Sequence, residues 1–134
     1  MVVETGRVDF TARGEAGLTP LHWASNAGCI EIVDFLLNEG VSADVKDNNG
    51  RTPLAYAVME GSEAVTRRLL GVGVNPDSKD SEGHTPFFWA IYNDHLAIAR
   101  ILSDTGRVDT SAEGRARLER RARPTFPMIF LGRS

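Results

Sequence analysis

The dipeptide Thr-Pro recurs at a fixed interval of 33 residues, at Thr19-Pro20, Thr52-Pro53 and Thr85-Pro86. Glycine follows the same interval on both sides of this dipeptide, at Gly17, Gly50 and Gly83 and again at Gly40, Gly73 and Gly106. A fixed period of this length indicates an array of stacked repeats, because each short unit can bury its apolar face only against a neighbouring unit.

The first unit, Gly17–Gly40, predicts two short helices. Thr19 can cap the first helix with its hydroxyl group, and Pro20 fits the first helical position because the missing N–H is not needed there. Gly28 can end this helix, since glycine adopts a left-handed backbone without strain. The second helix has the spacing of one apolar stripe, formed by Ile32, Val33, Leu36 and Leu37.

The same pattern returns in the second unit, Gly50–Gly73, and in the third unit, Gly83–Gly106. The turn-forming run Asp47–Gly50 predicts a hairpin-like finger loop between units. We therefore predict an all-α solenoid of helix-turn-helix units with finger loops. Its predicted segments are a remnant of a preceding repeat at 1–12, three repeats at 13–109, and a basic C-terminal tail at 110–134.

These motifs resemble the ankyrin repeat family, whose pattern is D-x-x-G-x-T-P-L-H-x-A. The segment Thr19–Ala24 (TPLHWA) matches this pattern in full, and TPLAYA and TPFFWA match it in part. The resemblance covers residues 13–109 and implies stacked helix pairs that bind proteins. The TG-x-VD pattern near both ends of the chain also resembles ankyrin repeats common in filamentous fungi.

Three departures from the family pattern concern single positions. The histidine after TPL is kept only as His22, and Ala55 and Phe88 replace it, so we expect these two units to lack the hydrogen bonds that it makes between neighbours in the family. Asp94 replaces the glycine between the two helices of the third unit, where aspartate tolerates a left-handed backbone less well than glycine. Gly14 replaces the turn aspartate that the later units keep.

No catalytic or metal-binding pattern is present among the reactive residue types. The three histidines and the single cysteine lack metal-ligand spacing, and neither a nucleophile motif nor a phosphate-binding loop occurs. We predict no catalytic residue, no metal site and no cofactor. His22 is expected to be structural, His84 to lie at the surface, His95 to be solvated and Cys29 to be inert.

The charge is distributed unevenly along the chain. Residues 1–109 hold 9 basic and 16 acidic residues, whereas residues 110–134 hold 6 arginines and 2 glutamates. The aromatic ladder Trp23, Tyr56 and Trp89 is therefore expected to pack half-buried on adjacent first helices, since base stacking needs a basic groove. Contact of the ring edges with a partner is the alternative. The lone cysteine and the absence of a signal or a long apolar run predict an intracellular protein, with the cytoplasm favoured over the nucleus.

The resemblance implies that a partner lies along a concave surface formed by finger tips and by the ends of the first helices. The finger positions are Glu15, Ala16, Leu18, Asn48, Asn49, Arg51, Ser81, Glu82 and His84. The helix-end positions are Asn26, Ala27, Met59, Glu60, Tyr92 and Asn93. These positions are expected to be free of the packing between units, with anchors at Arg51, Met59, His84 and Tyr92.

The predicted function is that of a monomeric, non-enzymatic protein-interaction module or scaffold. Its partner is expected to be another protein rather than a small molecule, a membrane or a nucleic acid. Two alternatives stay open: a regulator directed to the nucleus or an acidic surface by Arg115–Arg123, and a truncated repeat fragment without independent function. The tail itself is predicted to be either an improvised cap on the third unit or disordered.

Overall fold

The computed structural model describes residues 9–111, which contain six α-helices in three pairs, a short 3-10 helix at Glu15–Gly17, and no strand. The helices are α1 (Pro20–Ala27), α2 (Ile30–Asn38), α3 (Pro53–Glu60), α4 (Glu63–Gly71), α5 (Pro86–Tyr92) and α6 (Leu96–Asp104). One pair lies in each unit, which confirms the predicted all-α, helix-turn-helix architecture. None of the described helices is long and apolar enough to cross a membrane.

Residues 1–8 and 112–134 lie outside the described part of the chain. Most of the predicted repeat remnant at 1–12 and most of the predicted tail at 110–134 fall in these two segments. The arginine run Arg115–Arg123 and the proposed cap on the third unit fall there as well. These interpretations therefore stay predictions.

The start of each first helix follows from the Thr-Pro dipeptide. The threonine hydroxyl oxygen accepts a hydrogen bond from the backbone N–H three residues later, and proline occupies the first turn. The donors are the N–H groups of His22, Ala55 and Phe88, at 3.4, 3.2 and 3.1 Å. A cap of this kind stabilises a helix by about 1 kcal/mol, so the three repeats begin at positions that the sequence specifies locally.

The turn between the two helices of each unit needs a left-handed backbone residue. Gly28 and Gly61 have φ values of 71° and 81°, and Asp94 takes the same conformation with φ 64°. The expected left-handed aspartate is therefore present. Gly61 has a second constraint, because a Cβ atom there would lie 2.8 Å from the imidazole ring of His95.

This contact corrects the expectation that His95 is solvated. The residue is partly buried, and its Nε2 atom lies 3.2 Å from the carbonyl oxygen of Met59 in the preceding unit. A carbonyl oxygen only accepts, so the imidazole donates this hydrogen bond. His95 therefore joins units 2 and 3. The sequence alone predicted only that this residue lies at the start of a second helix.

The first helices α1, α3 and α5 stack in one layer, and the second helices α2, α4 and α6 form a second layer against them. The core between the layers repeats with the same period. Its largest aliphatic and aromatic members at equivalent positions are Leu21, Leu54 and Phe87 on the first helices and Leu36, Leu69 and Leu102 on the second. Full burial of such a side chain contributes roughly 1.5–3 kcal/mol, so this core contributes more to the stability than the three threonine caps do.

His22 makes the contact between units that the family resemblance implies. Its Nδ1 atom accepts a hydrogen bond from the Thr19 backbone N–H at 3.0 Å, and its Nε2 atom lies 3.0 Å from the Arg51 carbonyl oxygen in the next unit. These roles require a neutral imidazole protonated on Nε2. Burial lowers the pKa of His22 below its usual value, although the Arg51 carbonyl acts in the opposite direction.

The finger loops are joined to one another by backbone hydrogen bonds. The Asn48 N–H donates to the Ala16 carbonyl oxygen at 2.9 Å, and the Ser81 N–H donates to the Asn49 carbonyl oxygen at the same distance. Gly50 permits this close approach, because a Cβ atom there would lie 2.9 Å from the Ser81 nitrogen. The fingers therefore form one connected edge rather than three separate loops.

Candidate partner-binding surface

The second finger is held by the carboxylate of Asp47. One carboxylate oxygen accepts hydrogen bonds from the backbone N–H groups of Asn49 and Arg51 at 2.8 and 2.9 Å. The other accepts a hydrogen bond from the hydroxyl group of Tyr56 on α3. The carboxylate thus fixes the shape of the finger and attaches the ring of the following helix to it.

Burial raises the pKa of Tyr56 to about 12, and the hydrogen bond to Asp47 acts in the same direction. The phenol is therefore protonated across the physiological range and can keep donating to the carboxylate. Tyr56 is only partly buried, so one part of its ring stays accessible. The Tyr56 ring therefore helps to hold the second finger in place and also forms part of the exposed surface.

The third finger repeats the arrangement with Asp80. Its Oδ1 atom accepts from the backbone N–H groups of Glu82 and His84, each at 2.9 Å, and its Oδ2 atom accepts from the indole N–H of Trp89 at 3.2 Å. Burial of the carboxyl raises its pKa, but these hydrogen bonds outweigh burial, so the pKa of Asp80 lies below its ordinary value. Trp89 is half-buried as a result.

Arg51 connects the second finger to the third. Its Nε atom lies 3.5 Å from Oδ2 of Asp80, and its guanidinium carbon lies 5.4 Å from the centre of the Trp89 ring. Both contacts attract a cation, one through the carboxylate charge and one through the face of the indole ring. Arg51 therefore serves the packing between units 2 and 3.

The first finger lacks the equivalent carboxylate, because Gly14 stands in that position. The turn itself still forms, since the Gly14 N–H donates to the Leu18 carbonyl oxygen at 2.8 Å. Trp23, however, has no acceptor for its indole N–H among residues 9–111, and its side chain is 56% exposed. The expectation that all three ladder rings are half-buried is therefore wrong for Trp23, the ladder ring whose finger has no turn aspartate.

A small cavity lies beside this exposed ring, between units 1 and 2. Its volume is about 80 Å³, and it is lined by Leu18, His22, Trp23, Asn26 and Tyr56. Two of these residues, Leu18 and Asn26, belong to the predicted partner-binding set. We call this cavity the Trp23 pocket.

Three of the four predicted anchor side chains pack inside the array. The His84 ring stacks on Phe88, with centroids 3.8 Å apart and an interplanar angle of 5°. Tyr92 stacks on the same phenylalanine at 5.6 Å. Arg51, bound to Asp80 of the third finger, contradicts the expectation that the anchors are free of packing between units. His84 and Tyr92 pack on Phe88 within their own unit, and contact of these residues with a partner stays a prediction.

Met59, the fourth anchor, is partly buried at the end of α3. Its carbonyl oxygen accepts a hydrogen bond from the Asn93 side-chain amide at 3.3 Å. The remaining predicted residues differ in exposure: Leu18 and Asn93 are partly buried, and Glu15, Ala16, Asn26, Ala27, Asn48, Asn49, Glu60, Ser81 and Glu82 are exposed. The exposed members are the better candidates for direct contact.

One group of potential metal ligands comes together in the third finger. Ligand atoms of Asp80, Glu82 and His84 lie within 4.8 Å of one another, although the sequence showed no recognised metal spacing. The Asp80 carboxylate already accepts two backbone N–H groups and one indole N–H, and Nδ1 of His84 lies 3.6 Å from Glu82 Oε1. The grouping is thus explained by the turn that these residues form.

The family model for ankyrin repeats, in three copies, matches residues 4–80. This range covers more than half of the chain and includes helices α1 to α4 with both of the fingers that precede them. No curated protein matches the chain. Ankyrin repeats generally mediate protein–protein interaction and are typically non-enzymatic. The match confirms the resemblance carried by the Thr-Pro motifs, and the chain belongs to the ankyrin repeat family.

Proposed function

We propose that the chain is a non-enzymatic interaction module that holds a protein partner on its concave surface. The observation that carries the proposal is a row of exposed side chains along one edge of a rigid frame. The frame is made by Asp47 and Asp80, which fix two fingers and attach them to α3 and α5. The exposed side chains include Asn49, Glu60 and Glu82.

The perturbed ionisable groups support a structural rather than a catalytic role. Shifted pKa values often indicate an active site, but here each shift has a structural partner. His22 joins two units, and Asp80 holds a finger and a tryptophan. Residues that must keep these hydrogen bonds to maintain the fold are poorly placed to exchange protons with a substrate.

A rigid surface also favours binding, because little conformational entropy is lost on association. The fingers are fixed by hydrogen bonds from one unit to the next, and they lead into helices that are capped at their first residue. We propose in addition that the module is monomeric and works inside the cell. Its exposed side chains can vary without disturbing the frame, which suits recognition of one particular partner.

The test is affinity capture from cell extract with three forms of the full chain. The surface variant Asn49→Ala/Glu60→Ala/Glu82→Ala removes exposed groups from the concave surface. The control variant Asn38→Ala/Glu63→Ala/Asp104→Ala removes the same kinds of group from exposed positions on the second helices. Circular dichroism establishes that all three forms are folded.

We expect the unaltered chain and the control to capture the same protein. The surface variant should bind it at least about tenfold more weakly, which corresponds to a loss of about 1.4 kcal/mol of binding free energy. Equal capture by the surface variant and the control would contradict the proposal. Loss of capture by the control alone would move the interaction to the second helices.

A further inference from the structure

The size of the Trp23 pocket limits what it can hold. Its volume of about 80 Å³ exceeds the share of two water molecules in the liquid, ~30 Å³ each. It is far below the ~300–1,000 Å³ of cavities that enclose small-molecule ligands. One aliphatic side chain is the group that matches this space.

The walls of the pocket are apolar because their polar atoms are used elsewhere. The Tyr56 hydroxyl donates to Asp47, and the two ring nitrogens of His22 are bonded to Thr19 and to the Arg51 carbonyl. Asn26 is exposed, and its amide can both donate and accept. An apolar floor with one amide at the rim suits a side chain together with the peptide backbone that carries it.

The charged residues closest in sequence to the exposed walls are acidic. Glu15 precedes Leu18 by three residues on the first finger, and Glu60 follows Tyr56 by one helical turn on the same face of α3. Both glutamates are exposed. The basic residue of the adjoining finger, Arg51, is already paired with Asp80. The charge of Arg13 also acts on His22, but the Asp47 carboxylate that accepts from Tyr56 acts on it with the opposite sign. With Glu15 and Glu60 added, the charge beside the pocket is acidic in balance.

We propose that the Trp23 pocket binds one aliphatic side chain of an extended, lysine- or arginine-containing segment of a partner protein. The inference rests on the proposed function and names the chemistry of the partner at one point of the concave surface. The apolar side chain supplies burial against Trp23 and Tyr56. The basic residues on either side supply attraction to Glu15 and Glu60, which falls as salt is added.

The test uses the full-length chain labelled with ¹⁵N and the synthetic peptide Gly-Lys-Lys-Leu-Lys-Lys-Gly. The chain has two tryptophans, so its two indole N–H signals are assigned with the variant Trp23→Phe. Two matched peptides replace the leucine by alanine or the four lysines by glutamate. We expect the first peptide to shift the Trp23 signal saturably. Replacing the leucine should weaken binding up to about 50-fold, because the burial of about three CH₂ groups is lost, and replacing the lysines should weaken it about tenfold, because the charge attraction is lost.

Variants of the chain separate the pocket from general attraction of a basic peptide. Glu15→Gln/Glu60→Gln should weaken binding about fivefold and reduce its dependence on salt. The control Glu39→Gln/Glu63→Gln removes two exposed glutamates from the second layer and should leave binding unchanged. Equal effects of the two double variants would overturn the inference, as would equal binding of the three peptides.

Other occupants of the pocket would give different results in the same experiment. A Trp23 signal that moves on dilution without peptide would assign the pocket to a second copy of the chain. A signal that moves in the variant Arg120→Gln/Arg121→Gln without peptide would assign it to the chain's own C-terminal residues. Either result would overturn the assignment to a partner protein.

The capture experiment distinguishes this inference from the proposed function. If the peptide does not bind and Trp23→Ala still captures the partner, the inference is wrong and the concave surface remains the binding surface. If the peptide binds as expected but the surface variant captures the partner as well as the control does, the proposed function is wrong. The pocket would then bind the peptide independently of the surface that captures the partner.

Discussion

Trp23 in unit 1 and Trp89 in unit 3 occupy the same position of the repeat but have different surroundings. Trp89 donates its indole N–H to Asp80 and is half-buried, whereas Trp23 is 56% exposed. The residue nine positions before each ring differs, aspartate before Trp89 and glycine before Trp23. A turn aspartate attaches the aromatic ring to its finger, and we infer that the missing aspartate leaves Trp23 exposed.

The second helices show a related difference between the same units. Ile32 on α2 is 50% exposed, whereas Ile98, the equivalent residue on α6, is only 2% exposed. Helix α4 lies against α6, but among the described residues α2 has no second helix of a preceding unit packed against it in the same way. Burial in a repeat array is therefore set by the neighbouring unit as much as by the residue itself.

The largest effect is expected for Asp80→Ala, which would break the frame of unit 3. The change removes the acceptor of two backbone N–H groups and of the Trp89 indole, and hydrogen bonds to a charged group contribute roughly 1.5–3 kcal/mol each. We expect the free energy of unfolding to fall by about 3 kcal/mol, measured by urea denaturation, and Trp89 emission to shift to the red. The control Asp104→Ala, at an exposed position on α6, should change it by less than about 0.5 kcal/mol.

A smaller effect of opposite sign is expected for Gly14→Asp, which would make unit 1 resemble the others. Gly14 has φ −103° and ψ −144°, so an aspartate needs a shift of ψ toward the extended region, and the nearest atom to an added Cβ is 3.9 Å away, which leaves room for it. The new carboxylate can accept from the Trp23 indole and should stabilise the chain by about 1 kcal/mol. Unchanged stability together with an unchanged Trp23 emission spectrum would count against the explanation given for the exposed ring.

A similar gain is expected for Ser25→Ala on α1. Ser25 is fully buried, and its hydroxyl oxygen has no hydrogen-bond partner within the described part of the chain. The equivalent positions in units 2 and 3 are the buried apolar residues Val58 and Ile91. Removing an unsatisfied buried hydroxyl should raise the free energy of unfolding by about 1 kcal/mol, measured by urea denaturation. A loss of stability would show that the hydroxyl has a role in the folded state.

The smallest effect concerns pH and His22, which only unit 1 carries. Because burial lowers the pKa of His22 in the folded state, the unfolded chain binds a proton more readily at this site. Stability from this group is complete above the unfolded pKa of ~6.5 and falls as pH decreases below it. Urea denaturation at pH 7.5 and pH 5.5 should show a smaller decrease for His22→Ala than for the unaltered chain, and equal decreases would contradict this assignment.

The period of the sequence was sufficient to predict the helices, their threonine caps and the left-handed conformation of Asp94. The contact of His22 with the next unit also followed, through the family resemblance. These features depend on residues within one turn or at a fixed repeat distance. They are therefore visible in a single sequence.

The surroundings of the candidate site were less predictable. The loss of the aspartate at Gly14 is evident in the sequence, but its effect on Trp23 depends on how the finger folds back to the helix. The packing of Arg51 on Trp89 and of His84 on Phe88 likewise depends on geometry between neighbouring elements. Position in the repeat therefore predicts where a binding surface would lie, but it does not show which side chains there are free of packing.

Hydrogen exchange of the two indole N–H groups tests whether the turn aspartate decides which tryptophan ring is attached to its finger. In the unaltered chain, we expect slow exchange at Trp89, which donates to Asp80, and fast exchange at Trp23, which is 56% exposed and has no acceptor among residues 9–111. In Gly14→Asp, exchange at Trp23 should slow toward the rate at Trp89. Equal protection of the two indoles in the unaltered chain would show that the turn aspartate does not decide which rings belong to the frame.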